Sequence, residues 1–211
     1  MKIVAVICAR SQSTRFPNKM MALIDGKPLL YRVVYQTKKS RLVDKVTVAT
    51  VHGDANIPAF CSHYIIRWYC GEEDDILDRL YKGAQLYEAD VVVRVWGDSP
   101  LVDPDIIDKT ICYHFQMKGD YTYSTNHPLG QNVAVISMPA LKRAWYEIKE
   151  PENRLWFHKY MIEKAHSFKI VPYNTGIGYS DLNYSVDTKE DLMKVEKWYE
   201  QGQLPDGRQI Y

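Results

Sequence analysis

Nowhere in the 211 residues does an apolar run approach the ~20 residues of a membrane-spanning helix. An excess of one charge is also missing: 27 Lys and Arg stand against 26 Asp and Glu, a formal net charge of +1. A general nucleic-acid binder would show a basic excess, so that class is disfavoured. The four cysteines, Cys8, Cys61, Cys70 and Cys112, have no paired metal-ligand spacing. Two of them lie in or beside strand-like apolar runs, so reduced, buried thiols are expected rather than disulfides. The N-terminus enters a strand pattern directly, with no signal-peptide cleavage region, which makes the cytoplasm the expected location. No Gly-Lys-Ser/Thr triplet occurs, so a Walker-type phosphate loop is excluded. Internal repeats, low-complexity tracts and linkers are absent as well. What remains is an ordinary globular composition, 46% hydrophobic and 25% charged, suited to one domain spanning 1–211.

Hydrophobic periodicity organises the chain. Lys2 to Cys8 is a short apolar run rich in β-branched residues, the pattern of a strand buried on both faces. Further strands are expected at 45–51, 64–68 and 90–96, alternating with helices at 29–38, 55–62, 75–89 and 104–117. Asp103 and Pro104 mark the start of the last of these. Strand–helix alternation implies an α/β fold, a mostly parallel sheet with helices on both faces. The rhythm then changes to strands at 121–124 and 133–137, helices at 140–149 and 152–165, short strands at 169–171 and 184–186, and a closing helix capped by Thr188. A first part over about 1–118 is therefore expected, followed by a mixed α/β lobe at 119–185 and a C-terminal part at 186–211.

In an open parallel sheet, ligands bind beyond the carboxyl ends of the strands. The loop after the first strand, Ala9 to Lys19, should lie there. It carries Arg10, Arg15 and Lys19 with Ser11, Ser13 and Thr14, and no glycine. Guanidinium groups offer paired donors to phosphate oxygens, and lysine adds a point charge. Asp98 follows a strand and should stand at the same edge; Asp187 follows the segment 184–186. Two such carboxylates suit Mg²⁺, which is held by one or two carboxylates together with phosphate oxygens and water. Asp74, Asp75 and Asp78 crowd the start of a helix, where negative charge is favoured without any metal. His127 and His158 have no ligand-spaced partner and read as ordinary side chains.

The pattern strand–Ala-Arg-x₂-Ser-x-Arg-x-Pro-x-Lys resembles the signature of sugar-acid cytidylyltransferases, such as the CMP-Kdo and CMP-sialic acid synthetases. It is most similar to the spore-coat polysaccharide biosynthesis protein F branch. Gly71 to Arg79, Gly97 to Pro104 and Val186 to Leu192 match that branch in order, so the resemblance spans nearly the whole chain. It implies a nucleotide-diphospho-sugar transferase, Rossmann-like fold and a homodimer built through the second lobe. It implies CTP as donor, Mg²⁺ on Asp98 and Asp187, and a small acidic acceptor. Ala9, Arg10, Ser13, Arg15, Lys19, Asp78, Arg79 and Asp98 would then bind the nucleotide. Of these, Arg10, Arg15, Lys19 and Asp98 would serve the chemistry.

The acceptor half departs from that pattern. Gly-x-Asp-Val-Glu-Val is expected where Gly130-Gln131-Asn132-Val133-Ala134-Val135 stands, and Arg-Glu-His-Val-Thr where Arg154-Leu155-Trp156-Phe157-His158 stands. Asn18 takes the place of a glycine. With the Asp and Glu of the first pattern gone, a different acceptor is expected. Two alternatives stay open: a glycosyltransferase of the same fold using a nucleotide-sugar, and a catalytically silent nucleotide-binding module.

Overall fold

The computed structural model describes residues 1–210. β1 (Ile3–Cys8) is buried at every position, which explains why its sequence does not alternate. After the Ala9–Lys19 loop come a short 3₁₀ turn (Lys19–Met21) and a small hairpin of β2 (Leu23–Ile24) and β3 (Lys27–Pro28). Then follow α1 (Leu29–Lys38), β4 (Lys45–Val51), α2 (Asn56–His63), β5 (Arg67–Gly71), α3 (Ile76–Gln85), β6 (Val91–Trp96) and α4 (Pro104–Met117). The remainder comprises β7 (Tyr121–Thr125), β8 (Ala134–Ser137), α5 (Met138–Glu147), α6 (Pro151–Leu155), α7 (Phe157–Glu163), β9 (Ile170–Asn174) and α8 (Lys189–Gln201).

Seven strands form one sheet in the order β5-β4-β1-β6-β8-β7-β9. Its pairs are parallel except those made by β8, which runs antiparallel to both β6 and β7. The expected mostly parallel sheet is therefore present. The segment 119–185 adds β7, β8 and β9 to that same sheet. One hydrophobic layer joins Ile3, Ala5 and Ile7 of β1 to Leu30, Val33, Ile57, Ile107 and Val195 from α1, α2, α4 and α8. The other joins Val4, Val6 and Cys8 to Leu77, Leu80, Leu141 and Phe157 from α3, α5 and α7. The chain moves outward from β1 through β4 to β5, then returns to place β6 on the other side of β1. The strand order therefore reverses between β1 and β6, where an open α/β sheet leaves its ligand crevice.

Side-chain caps set three of the helix starts. Asp103 accepts hydrogen bonds from the backbone of Asp105 and Ile106, with Pro104 in the first turn of α4. Asp75 caps α3 through the Asp78 N–H, the structural role expected of an acid at that position. Thr188 and Asp191 form a reciprocal capping box at α8.

Besides shifts of a few residues at other element ends, three segments differ from expectation. The strand placed at 64–68 lies at Arg67–Gly71, because α2 runs to His63 and Ile65 turns the chain with φ of 55°. The helix expected over 152–165 is broken at Trp156 into α6 and α7. Residues 184–186 form no strand: Tyr184 N–H bonds to Leu129 O and Val186 N–H to Asp98 O, two partners on different segments, so no ladder develops.

Candidate active site

The Ala9–Lys19 loop is anchored at its start by partners distant in sequence. Ala9 N–H donates to Ala49 O at 3.0 Å. The Ser11 N–H and hydroxyl donate to Asp54 at 2.7 and 2.9 Å, and the same buried carboxylate also accepts from Thr50 and from the Asn56 and Ile57 backbone. Asp54 was not recognised in the sequence; its Gly53-Asp54 setting reads as a turn. At the far end Asn18 adopts φ of 59° and bonds its N–H to Ser11 O at 2.9 Å. Asparagine tolerates this left-handed conformation, which accounts for its standing where a glycine is expected.

Lys19 is 6% exposed. Its Nζ donates to Val186 O at 2.8 Å, to Asp187 Oδ1 at 3.0 Å and to Asp98 Oδ2 at 3.4 Å. One ammonium thus draws together the first loop, the end of β6 and the approach to α8. Arg15 Nη2 meets the same Asp187 oxygen at 3.0 Å, and Arg10 pairs with Glu73. Each of the three loop cations faces an acidic side chain, so the cluster is close to charge balance, not a bare basic patch.

Two backbone devices set the aspartates. Gly97 N–H donates to Cys8 O at 2.9 Å, and a Cβ at Gly97 would lie 2.6 Å from Ala9 Cβ. Only glycine lets β6 end this close to β1, with Asp98 next in line. The Asp191 carboxylate accepts from the backbone N–H of Asp187 and of Thr188 at 3.1 and 3.0 Å. Burial pushes the Asp191 carboxyl up, but those hydrogen bonds outweigh it and hold it below its ordinary value. The α8 cap therefore also fixes Asp187.

These residues line a cleft of about 420 Å³. Ala9, Arg10, Ser13, Arg15, Lys19, Arg79, Asp98 and Asp187 all border it, joined by Glu73, Trp96, Leu155 and Trp156. Asp78 does not. Its carboxylate accepts from Tyr69 Oη at 3.1 Å and Trp145 Nε1 at 2.7 Å, fastening α3 to β5 and α5. Burial, together with Asp78, pushes the Tyr69 phenol up to about 12, so it stays a donor. Arg79 is buried and donates to Glu73 O at 3.0 Å, while its Nε has no partner among the described residues. Gly71 makes room for it, since a Cβ there would lie 2.9 Å from Arg79 Cγ. Outside the cleft, His127 is buried between Ser124 Oγ and Pro128 O, a satisfied structural histidine. Among the described residues no three His, Cys, Asp or Glu side chains gather as a metal cage, and no helix is long and apolar enough to cross a membrane. Two carboxylates on one ammonium, open to a cleft, still fit Mg²⁺, because that ion draws its other ligands from phosphate and water.

Comparison with known proteins agrees with this architecture. The spore coat polysaccharide biosynthesis protein SpsF of Bacillus subtilis is 27% identical, over 97% of this chain and 89% of that protein. A cytidylyltransferase from Leptospira borgpetersenii superposes with a TM-score of 0.89 at 22% identity, over 99% of this chain and 90% of the other. The CMP:2-keto-3-deoxy-manno-octonic acid synthetase complexed with CTP superposes with a TM-score of 0.77 at 19% identity, over 95% and 99%. At these identities the superpositions speak to fold. The family model for cytidylyltransferases matches residues 4–199, and the chain belongs to that family.

Proposed function

We propose that this protein transfers CMP from CTP to a small acidic acceptor and releases pyrophosphate, with Mg²⁺ as its metal. The observation that carries the reading is the junction at Lys19, where one buried ammonium meets Asp98, Asp187 and Val186 O at the switch point of the sheet. The CTP bound to the structurally similar synthetase supports the choice of nucleotide.

An acceptor oxygen attacks the α-phosphorus; the new O–P bond forms as the bond to the β-phosphate bridging oxygen breaks. Pyrophosphate leaves, and the acceptor proton passes to solvent. Arg10, Arg15 and Lys19 hold the phosphates and stabilise charge on the leaving group, with Ala9 and Ser13 beside them. Arg79 serves the nucleotide from the α3 side, and Asp78 steadies α3 behind it. Asp98 and Asp187 would hold the Mg²⁺, which neutralises phosphate charge. Burial raises the Cys8 thiol, so it is neutral and supplies no base. The second lobe would make a homodimer.

Thermal shift with CTP, UTP, ATP and GTP, each with and without Mg²⁺, tests the donor. Preferential stabilisation by CTP with Mg²⁺ is expected, since a ligand bound only by the native state raises apparent stability. Equal shifts from all four would remove the assignment.

A further inference from the structure

The cleft that holds the Lys19 junction has two unlike walls. On one side the first loop presents Arg10, Arg15 and Lys19 to Asp98 and Asp187. The other side is apolar: Ile76 at the start of α3, Trp96 at the end of β6, and Leu155 and Trp156 where α6 gives way to α7. Trp156 is 44% exposed, although tryptophan is on average a well-buried residue. The backbone holds it there. With φ of −109° and ψ of 35°, Trp156 ends α6. Its N–H still donates to Glu152 O at 3.0 Å, and its carbonyl accepts from the Lys159 N–H at 2.8 Å.

Arg154 fastens the segment from behind. Its Nε donates to Asp75 at 2.6 Å, and its Nη1 to Trp145 O and Ile148 O at 3.1 and 2.8 Å. The guanidinium is thereby held at the ends of α3 and α5 and does not border the cleft. From this segment the cleft receives only Leu155 and Trp156, which stand where the resemblance leads one to expect glutamate and histidine. That exchange decides what the wall accepts. An isobutyl group and an indole face give a hydroxyl no partner, so each hydroxyl pressed against them loses water without replacement. An apolar face pressed there gains in proportion to the area it removes from water.

We propose that Leu155, Trp156 and Trp96 form an apolar subsite for the acceptor, which carries an aryl or alkyl group there in place of a run of hydroxyls. This rests on the cleft being the transfer site, and the test separates the two readings. Phenyllactate and lactate differ by one phenyl group and serve as probes. In the isotope-labelled intact chain, the Trp156 indole N–H resonance is identified by its loss in Trp156→Phe. Phenyllactate should move that resonance saturably, and lactate should need a concentration at least about tenfold higher. Saturating CTP with Mg²⁺ should leave phenyllactate binding intact. Trp156→Ala trims a half-exposed side chain. It should bring the two affinities, read by ligand-observed NMR, within about twofold while the CTP–Mg²⁺ thermal shift persists. Lactate binding as tightly as phenyllactate, or glucuronate binding more tightly than either, would overturn the proposal. So would displacement of phenyllactate by CTP–Mg²⁺, since the wall would then hold the base. A phenyl-dependent shift in a protein that CTP–Mg²⁺ does not stabilise would count against the donor site and leave the subsite in place.

Discussion

Lys19→Met perturbs the junction most directly, because it removes the charge and keeps much of the stem. The ammonium's bond to Val186 O is buried, and a charge-assisted bond of that kind contributes about 2 kcal/mol. Its ion pairs reach two carboxylates that are each 31% exposed, so solvent screening leaves them roughly 1 kcal/mol. The expected loss of about 2–3 kcal/mol corresponds to a fall of roughly 4–12 °C in melting temperature for a domain this size. Turnover should suffer more. Removing a preorganised cation from a developing negative charge costs about 10²–10³ in rate. Urea denaturation reads the first effect, and coupled detection of pyrophosphate from CTP reads the second. Mg²⁺ should also stabilise the variant more than the wild type, since two carboxylates then face each other without their ammonium. A variant that melts like the wild type and turns over within about twofold would refute the reasoning. A less stable but fully active variant would leave Lys19 a purely structural role.

Gly97→Ala places a methyl 2.6 Å from Ala9 Cβ and 3.0 Å from Cys8 O. Backbone must move on both sides, so a loss of about 1–3 kcal/mol is expected, with weaker CTP–Mg²⁺ stabilisation because Ala9 and Asp98 flank the contact. Unchanged denaturation and nucleotide binding would show that β1 and β6 separate freely. Acid should destabilise the fold through His114, which is buried against Thr122 Oγ1 at 2.9 Å. Burial lowers its pKa to about 4, with Asp120 partly opposing. The unfolded chain, near its usual value of about 6.5, binds the proton first, so stability falls as pH drops from there towards 4. By pH 4.5 the loss through this residue should approach about 2 kcal/mol, and His114→Gln should flatten that part of the profile. Urea midpoints at pH 7, 5.5 and 4.5 would show it; identical slopes for both proteins would contradict it.

The meeting of the Ala9–Lys19 loop with Asp98 and Asp187 at one cleft was legible because they are written in short segments that follow strands or strand-like runs. A buried run such as Ile3–Cys8 predicts where its loop emerges, and Asp98 after Val91–Trp96 must appear at the same edge. Asp78 was misplaced for a related reason: at a helix start, sequence gives the turn but not the face, and the phenol and indole that claim its carboxylate come from β5 and α5. Asp54 was invisible because its meaning lies in a partner more than forty residues away. Residues 184–186 have a strand's composition, yet they divide their hydrogen bonds between Leu129 and Asp98. Periodicity carries no information about such a division.

Asp98→Asn changes charge with almost no change of shape, so it addresses the donor site more directly than any other substitution. Pyrophosphate release from CTP and Mg²⁺, in the presence of an acidic acceptor, should be present in the wild type. It should be lost in the variant while the cooperative melting transition remains. Equal release by the two proteins would contradict the assignment of Asp98, and with it the reading of the Ala9–Lys19 loop as half of a metal–triphosphate site.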